Sequence, residues 1–174
     1  MQTMMQPQKI KVSHNILINL MVDMERGHLR IPRFQREFVW ERIRIQKLLD
    51  SMYKEYPIGT LFFWEAPPQY NELLRDVEDL GQPPLIDGKS YTLILDGQQR
   101  LTSLYAVIKG LAIDGEDYRK IVIDLDNHDP AKLSFQYRNP DNQRWVSVAD
   151  LLGMNFSVLN NLSEERRLQF QKYF

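Results

Sequence analysis

Five consecutive residues, Asp96-Gly97-Gln98-Gln99-Arg100, are the part of this chain best suited to chemistry. They follow the apolar run YTLIL (91–95) and open QQRLTSLYAVIKG, where Leu101, Leu104, Tyr105 and Ile108 recur at helical spacing. A chain that leaves a strand and enters a helix through glycine presents backbone N–H groups at the positive end of the helix dipole. Such a turn receives anions, phosphate above all. Arg100, in the first turn, adds a planar fork for phosphate oxygens. Gln98 and Gln99 carry amides able to orient a water or to bind a base or sugar edge. Asp96 is placed to hold a magnesium ion or to accept from a hydroxyl. Ordinary turn chemistry competes with this reading, because Asp-Gly also occurs at 87–88 and 114–115. Those two pairs precede strands. Only Asp96-Gly97 feeds a helix.

A second constellation lies in IPRFQREFVW (31–40), where Pro32 forbids a helix and Gln35-Arg36 repeats the amide–guanidinium pairing on a constrained loop. Phe34, Phe38 and Trp40 are expected to anchor that loop in the core, Trp40 against the helix that follows. A solvated loop edge is the plain alternative for Arg33 and Arg36. Other chemistries find no support. The chain lacks G-x-x-x-x-G-K-[ST], and His14, His28 and His128 have no metal-ligand spacing. Asp124 and Asp126 share one face of a predicted strand and could bind a metal, but a solvated strand end is the simpler expectation. Phe62, Phe63 and Trp64 read as core rather than as a base-stacking platform.

The elements that must position these residues follow from periodicity. Ser13 can cap a helix with Ile16, Leu17, Leu20, Met21 and Met24 on one face, stopped by Gly27. A short strand and an ordered loop come next. Glu41 begins the clearest helix, with Ile45, Leu48, Leu49, Met52, Tyr53 and Tyr56 on one stripe and Arg42, Arg44, Lys47 and Asp50 mostly off it. Pro57 and Gly59 end it, and TLFFW (60–64) reads as a buried strand. Residues 66–90, with Pro67-Pro68 and Pro83-Pro84, form a surface insertion that returns through a turn at Asp87-Gly88. KIVIDL and KLSFQYR are strands, and a short helix spans Val148–Leu152. SEERRLQFQKYF is capped by Ser163 but has no stop signal. The expected organisation is a flexible tail (1–12), one domain (13–155), and the start of a following helical region (156–174), truncated as in a fragment of a longer protein.

Composition bounds the possibilities further. With 174 residues, 43% of them hydrophobic, the chain can bury a core and is not disordered. No apolar run reaches the ~18–20 residues of a membrane span. The absence of cysteine removes disulfides, thiol nucleophiles and Cys-zinc sites. Lys and Arg number 22 against 23 Asp and Glu, a net charge of −1, which disfavours non-specific coating of DNA. The N-terminus has no secretory signal, and a cytoplasmic location is expected.

IPRFQREFVW, a helix, PIGTLFFW, an insertion and LILDGQQRLTSLYAVIKG together resemble the N-terminal domain of GmrSD-type modification-dependent restriction systems. They also resemble the corresponding domain of the phosphorothioation-dependent defence protein SspE. The resemblance covers roughly residues 13–125 and keeps the DGQQR box intact at 96–100. It implies an α+β fold similar to ParB and sulfiredoxin, a small mixed β-sheet with flanking helices and a ligand pocket at the DGQQR turn. It further implies binding and hydrolysis of a nucleoside triphosphate, GTP or ATP, with Mg2+, in defence against modified phage DNA. By carry-over, Asp96, Gln98, Gln99 and Arg100 are catalytic, with Asp96 the candidate metal ligand. Gly97, Arg100, Gln35 and Arg36 bind the phosphates. Modified DNA would be met through the full-length protein, with cleavage in a C-terminal His-Asn-His region that these residues do not contain. No nuclease activity is therefore expected of this chain, and a homodimer is left open. The rival reading is a non-catalytic reader of modified DNA using the same basic pocket, and a partner-binding scaffold is the third.

Overall fold

Apolar residues at helical spacing form α1 (Leu17–Glu25), which buries Met21 and Met24 and is followed by Gly27 at φ 65°. The computed structural model describes residues 12, 17–74, 80–127, 129, 131–141, 143–153 and 156–173, so the expected cap at Ser13 lies outside them. β1 (Leu29–Arg30) leads into the loop that carries Gln35 and Arg36. α2 (Arg42–Tyr53) buries Ile45, Leu48 and Leu49. β2 (Phe62–Ala66) and β3 (Tyr91–Asp96) pair antiparallel, with β1 parallel to β3 on its other side, giving the order β1-β3-β2. Gly97 then turns the chain into α3 (Gln98–Lys109), which ends at Gly110.

A hairpin of β4 (Ala112–Ile113) and β5 (Glu116–Asp117) turns at Asp114-Gly115, both at positive φ as a tight two-residue hairpin requires. β6 (Ile121–Asp124) is the centre of a third sheet, between β7 (Phe135–Tyr137) and β8 (Trp145–Ser147), all antiparallel. α4 (Val148–Leu152), α5 (Phe156–Asn161) and α6 (Glu164–Tyr173) complete the order. The protein is thus α+β. Its mixed sheet is the one that carries the DGQQR turn, and two further antiparallel sheets stand beside it. One apolar cluster joins α1, α2 and α3 to β6, β7, β8 and α4, with α3 buried almost all round from Gln98 to Val107.

The connection between β2 and β3 is anchored as well as exposed. It forms a 3-10 turn over Pro68–Leu73, buries Leu74 and Leu80, and is clasped by Arg30. The Arg30 guanidinium is buried, donating to the carbonyls of Gly27 (2.8 Å) and Pro83 and to Gln82 Oε1 (3.3 Å). Gln82 Nε2 in turn donates to Met24 O (2.8 Å) and Leu29 O (3.0 Å).

Several expectations need correction. Phe34 is not an anchor but 60% exposed, because the loop turns its neighbour Gln35 inward instead; Phe38 and Trp40 do pack against the core. The strand expected at 60–64 begins at Phe62, and Phe62 is 46% exposed, because β2 is an edge strand with one open face. α2 stops at Tyr53, since Glu55 takes φ 57°, and Tyr56 is left exposed. Asp50, expected off the stripe, is buried, where its carboxylate accepts from the Ser134 amide (2.9 Å) and pairs with Lys54 (2.6 Å). Asp124 is not a solvated strand end. It is buried and gripped by Arg144 through two hydrogen bonds (2.8 and 2.7 Å), while Asp126 lies beyond the strand and binds Arg166. β8 had no counterpart among the expected strands.

Candidate functional site

Gly97 is the residue that makes the turn possible. Its φ of 86° is left-handed, and a Cβ there would collide with Leu61 and press on Arg100 Nη2 at 3.0 Å. As the N-cap of α3 it offers no side chain to the first-turn amides, and no side-chain cap is made. Those amides are the donors a helix cannot satisfy internally. β3 sets the approach: Ile94 and Leu93 are buried, so the strand end is rigid and Asp96 emerges from it with a side chain 72% exposed.

The five residues of the motif do different work. Arg100 folds back across the turn, with Nη1 donating to Ile58 O (2.6 Å) and Nη2 to Thr60 O (2.7 Å) and Asp96 Oδ2 (3.3 Å). These bonds engage three of the five guanidinium N–H groups. Gly59 lies between the two carbonyls at φ 88°, and a Cβ there would collide with Arg100 Nη1. Gln99 is buried and faces the other way. Its Nε2 donates to Glu37 O (2.8 Å), and its Oε1 accepts from Val39 N (3.0 Å). Gln98 is 4% exposed, and its Oε1 has no hydrogen-bond partner among the described residues. Thr102 Oγ, one turn further along α3, is in the same condition.

The loop residues divide similarly. Gln35 Nε2 donates to Leu95 O (2.9 Å), the last carbonyl before Asp96, so Gln35 does reach the turn. Arg36 is exposed and makes no hydrogen bond or ion pair with a described residue. Arg33 is tied away from the turn, its Nε donating to Leu74 O (2.6 Å). The turn is therefore braced by two loops, 35–39 through the glutamines and 58–60 through Arg100. The second brace was missed from sequence. Pro57 and Gly59 were read only as helix stops, although a loop glycine also signals close approach of another group.

Other charged clusters sit elsewhere. Arg42 forms a bidentate pair with Glu116 (2.7 Å for each bond) and lies over the Tyr137 ring. The hydrogen bonds from Arg42 hold the Glu116 carboxyl below its usual range. Burial pushes the Tyr118 hydroxyl up to about 12, so it is a neutral packing group. An open depression of about 430 Å³ is lined by Asp124, Asp126, Asn127, Arg144 and Trp145. Of the three carboxylates that line it, Asp124 and Asp126 are engaged by arginines and Asp129 lies 3.7 Å from Lys132 Nζ. Among the described residues no group of three His, Cys, Asp or Glu could hold a metal. No helix among them is long and apolar enough to cross a membrane.

Fold and site together define a small α+β domain built around a strand–glycine–helix turn. The model of the GmrSD restriction endonuclease N-terminal domain matches residues 17–174, and the chain belongs to that family. It is also 37% identical over 105 residues to the uncharacterized protein MJ0686 of Methanocaldococcus jannaschii, a match covering 57% of this chain and 18% of that relative. The chain thus spans about a fifth of the length of the curated relative it matches.

Proposed function

We propose that this chain is the nucleotide-binding regulatory domain of a restriction protein directed against modified DNA, with the phosphates held at residues 96–100. The observation that carries the proposal is the passage from β3 through left-handed Gly97 into α3, with no side chain capping the first-turn amides. Arg100 supports it from beside the turn. An arriving phosphate would compete with the Ile58 and Thr60 carbonyls for its guanidinium, a charge-assisted bond displacing neutral ones. Gln35 steadies the strand end at Leu95, and the exposed Arg36 is available to close over the phosphates.

The donor set fits a magnesium–triphosphate rather than a protein-held metal, because Asp96 is a single exposed carboxylate. When bound, Mg2+ would neutralise charge on the phosphate oxygens, with Asp96 as its protein contact. Of the two glutamines, Gln98 suits the positioning of a water: its Oε1 is unpartnered, whereas both ends of the Gln99 amide are engaged.

The test compares binding and turnover of Mg-GTP and Mg-ATP by this protein and by Arg100→Ala. One of the two nucleotides is expected to raise thermal stability, by about 2.7 kcal/mol at a hundredfold excess over Kd, with the gain largely lost in the variant. Absence of binding in both proteins would end the nucleotide reading. The second reading, a DNA reader without nucleotide, draws on the exposed Phe34 and Arg36. It would take its place if modified duplex bound with a steep salt slope indifferent to nucleotide.

A further inference from the structure

Two glutamines, Gln35 and Gln99, tie the same loop to opposite sides of the same turn. Leu95, whose carbonyl accepts from Gln35, stands immediately before Asp96-Gly97-Gln98; Gln99, whose amide grips Glu37 O and Val39 N, stands immediately after. We infer that loop 33–40 and the 96–100 turn form one mechanical unit, with Gln99 the latch through which occupancy of the turn is felt by the loop. This rests on the nucleotide reading above, and it gives Gln99 a positioning role in place of contact with substrate.

Three features argue for a latch rather than simple packing. The Gln99 side chain uses its donor and its acceptor on the backbone of a single loop two residues apart, so it fixes that backbone in a definite register. Phe38 and Trp40 pack against the core, but Phe34, Arg36, Glu37 and Val39 are all exposed, and the backbone at 37 and 39 is tied to the turn by the Gln99 amide. Gln99 also sits in the first turn of α3, next to the amides proposed to meet phosphate, and Ser103 Oγ donates to its carbonyl (2.6 Å). A displacement of 96–98 therefore moves both attachment points of the loop. By linkage, ordering the loop raises affinity at the turn by the same factor that a ligand at the turn orders the loop.

The experiment is hydrogen exchange of residues 34–40, with and without the nucleotide that binds, in the unaltered protein, in Gln99→Met and in Val39→Pro. Gln99→Met removes both polar atoms at similar volume. Val39→Pro deletes the N–H that Gln99 Oε1 accepts and leaves α3 untouched, so it remains informative should the buried substitution prevent folding. In the unaltered protein, nucleotide is expected to slow exchange across 35–39. In each folded variant that slowing should vanish, with binding weakened roughly fivefold in Val39→Pro, which loses one hydrogen bond, and further in Gln99→Met, which loses two. Nucleotide binding with no change in loop exchange, or variants that keep the full response, would overturn the latch while leaving the nucleotide site standing. No binding of either nucleotide by the unaltered protein would remove both.

Discussion

Arg100 shows how one side chain can hold a place and still be offered to a ligand. Its side chain is 19% exposed, and the guanidinium meets two carbonyls, with the Asp96 carboxylate at the longer distance of 3.3 Å. The carbonyls are brought to it by Gly59, whose left-handed backbone leaves no room for a Cβ beside Nη1. Gly59→Ala should therefore both strain the backbone and push Arg100 off the loop, costing roughly 2 kcal/mol in urea unfolding. The same variant should alter nucleotide affinity through Arg100, with the sequence of 96–100 unchanged. From sequence, Arg100 was legible as a charge at a helix start, but its two carbonyl partners were not, because they are backbone atoms 42 and 40 residues away. The burial of Gln99 was hidden for a related reason, since only the approach of loop 35–39 makes its amide internal.

At the scale of elements, what could be read was what local patterns dictate. α3 is bounded by Gly97 and Gly110, α4 by the apolar spacing of Val148–Leu152, and the 114–115 hairpin by its Asp-Gly pair. The third sheet was half legible. KIVIDL carries the continuous β-branched apolar run of a buried strand and KLSFQYR the alternation of a half-buried one, whereas the three residues of β8 are too few to show a period. That sheet closes on the Asp124–Arg144 pair, with Trp145 8% exposed between Arg138 and Arg144. Burial alone would push the Asp124 carboxyl up, but the hydrogen bonds and charge of Arg144, with the Asp126 amide, leave it below its ordinary value. A carboxyl depressed in the folded state binds fewer protons there than when unfolded. Its contribution is present above the unfolded value near pH 4 and is lost as pH falls through the lower folded one. Asp124→Asn should cost roughly 2 kcal/mol at pH 7 and flatten that acid limb, measured by unfolding between pH 2 and 6.

Across the described residues, one apolar cluster runs from α1 to Val158 and Leu162, so the mixed sheet and the third sheet share an interior, while Ala66, Leu74, Tyr91 and Leu93 form a second, separate cluster. That continuity was foreseeable only in kind, since 43% hydrophobic residues promise a core without saying which elements meet in it. The Arg30 clasp has a consequence at this scale. The turn at Asp87-Gly88 is exposed, while on its near side residues 82–83 are pinned by Arg30, and on its far side β3 is zipped between β1 and β2. A backbone nick there would sever the covalent thread at a seam the fold does not rely on. The halves 1–87 and 88–174, produced as separate polypeptides, should reassociate and co-elute, because β3 of the second half pairs with β1 and β2 of the first; halves that elute apart would refute it.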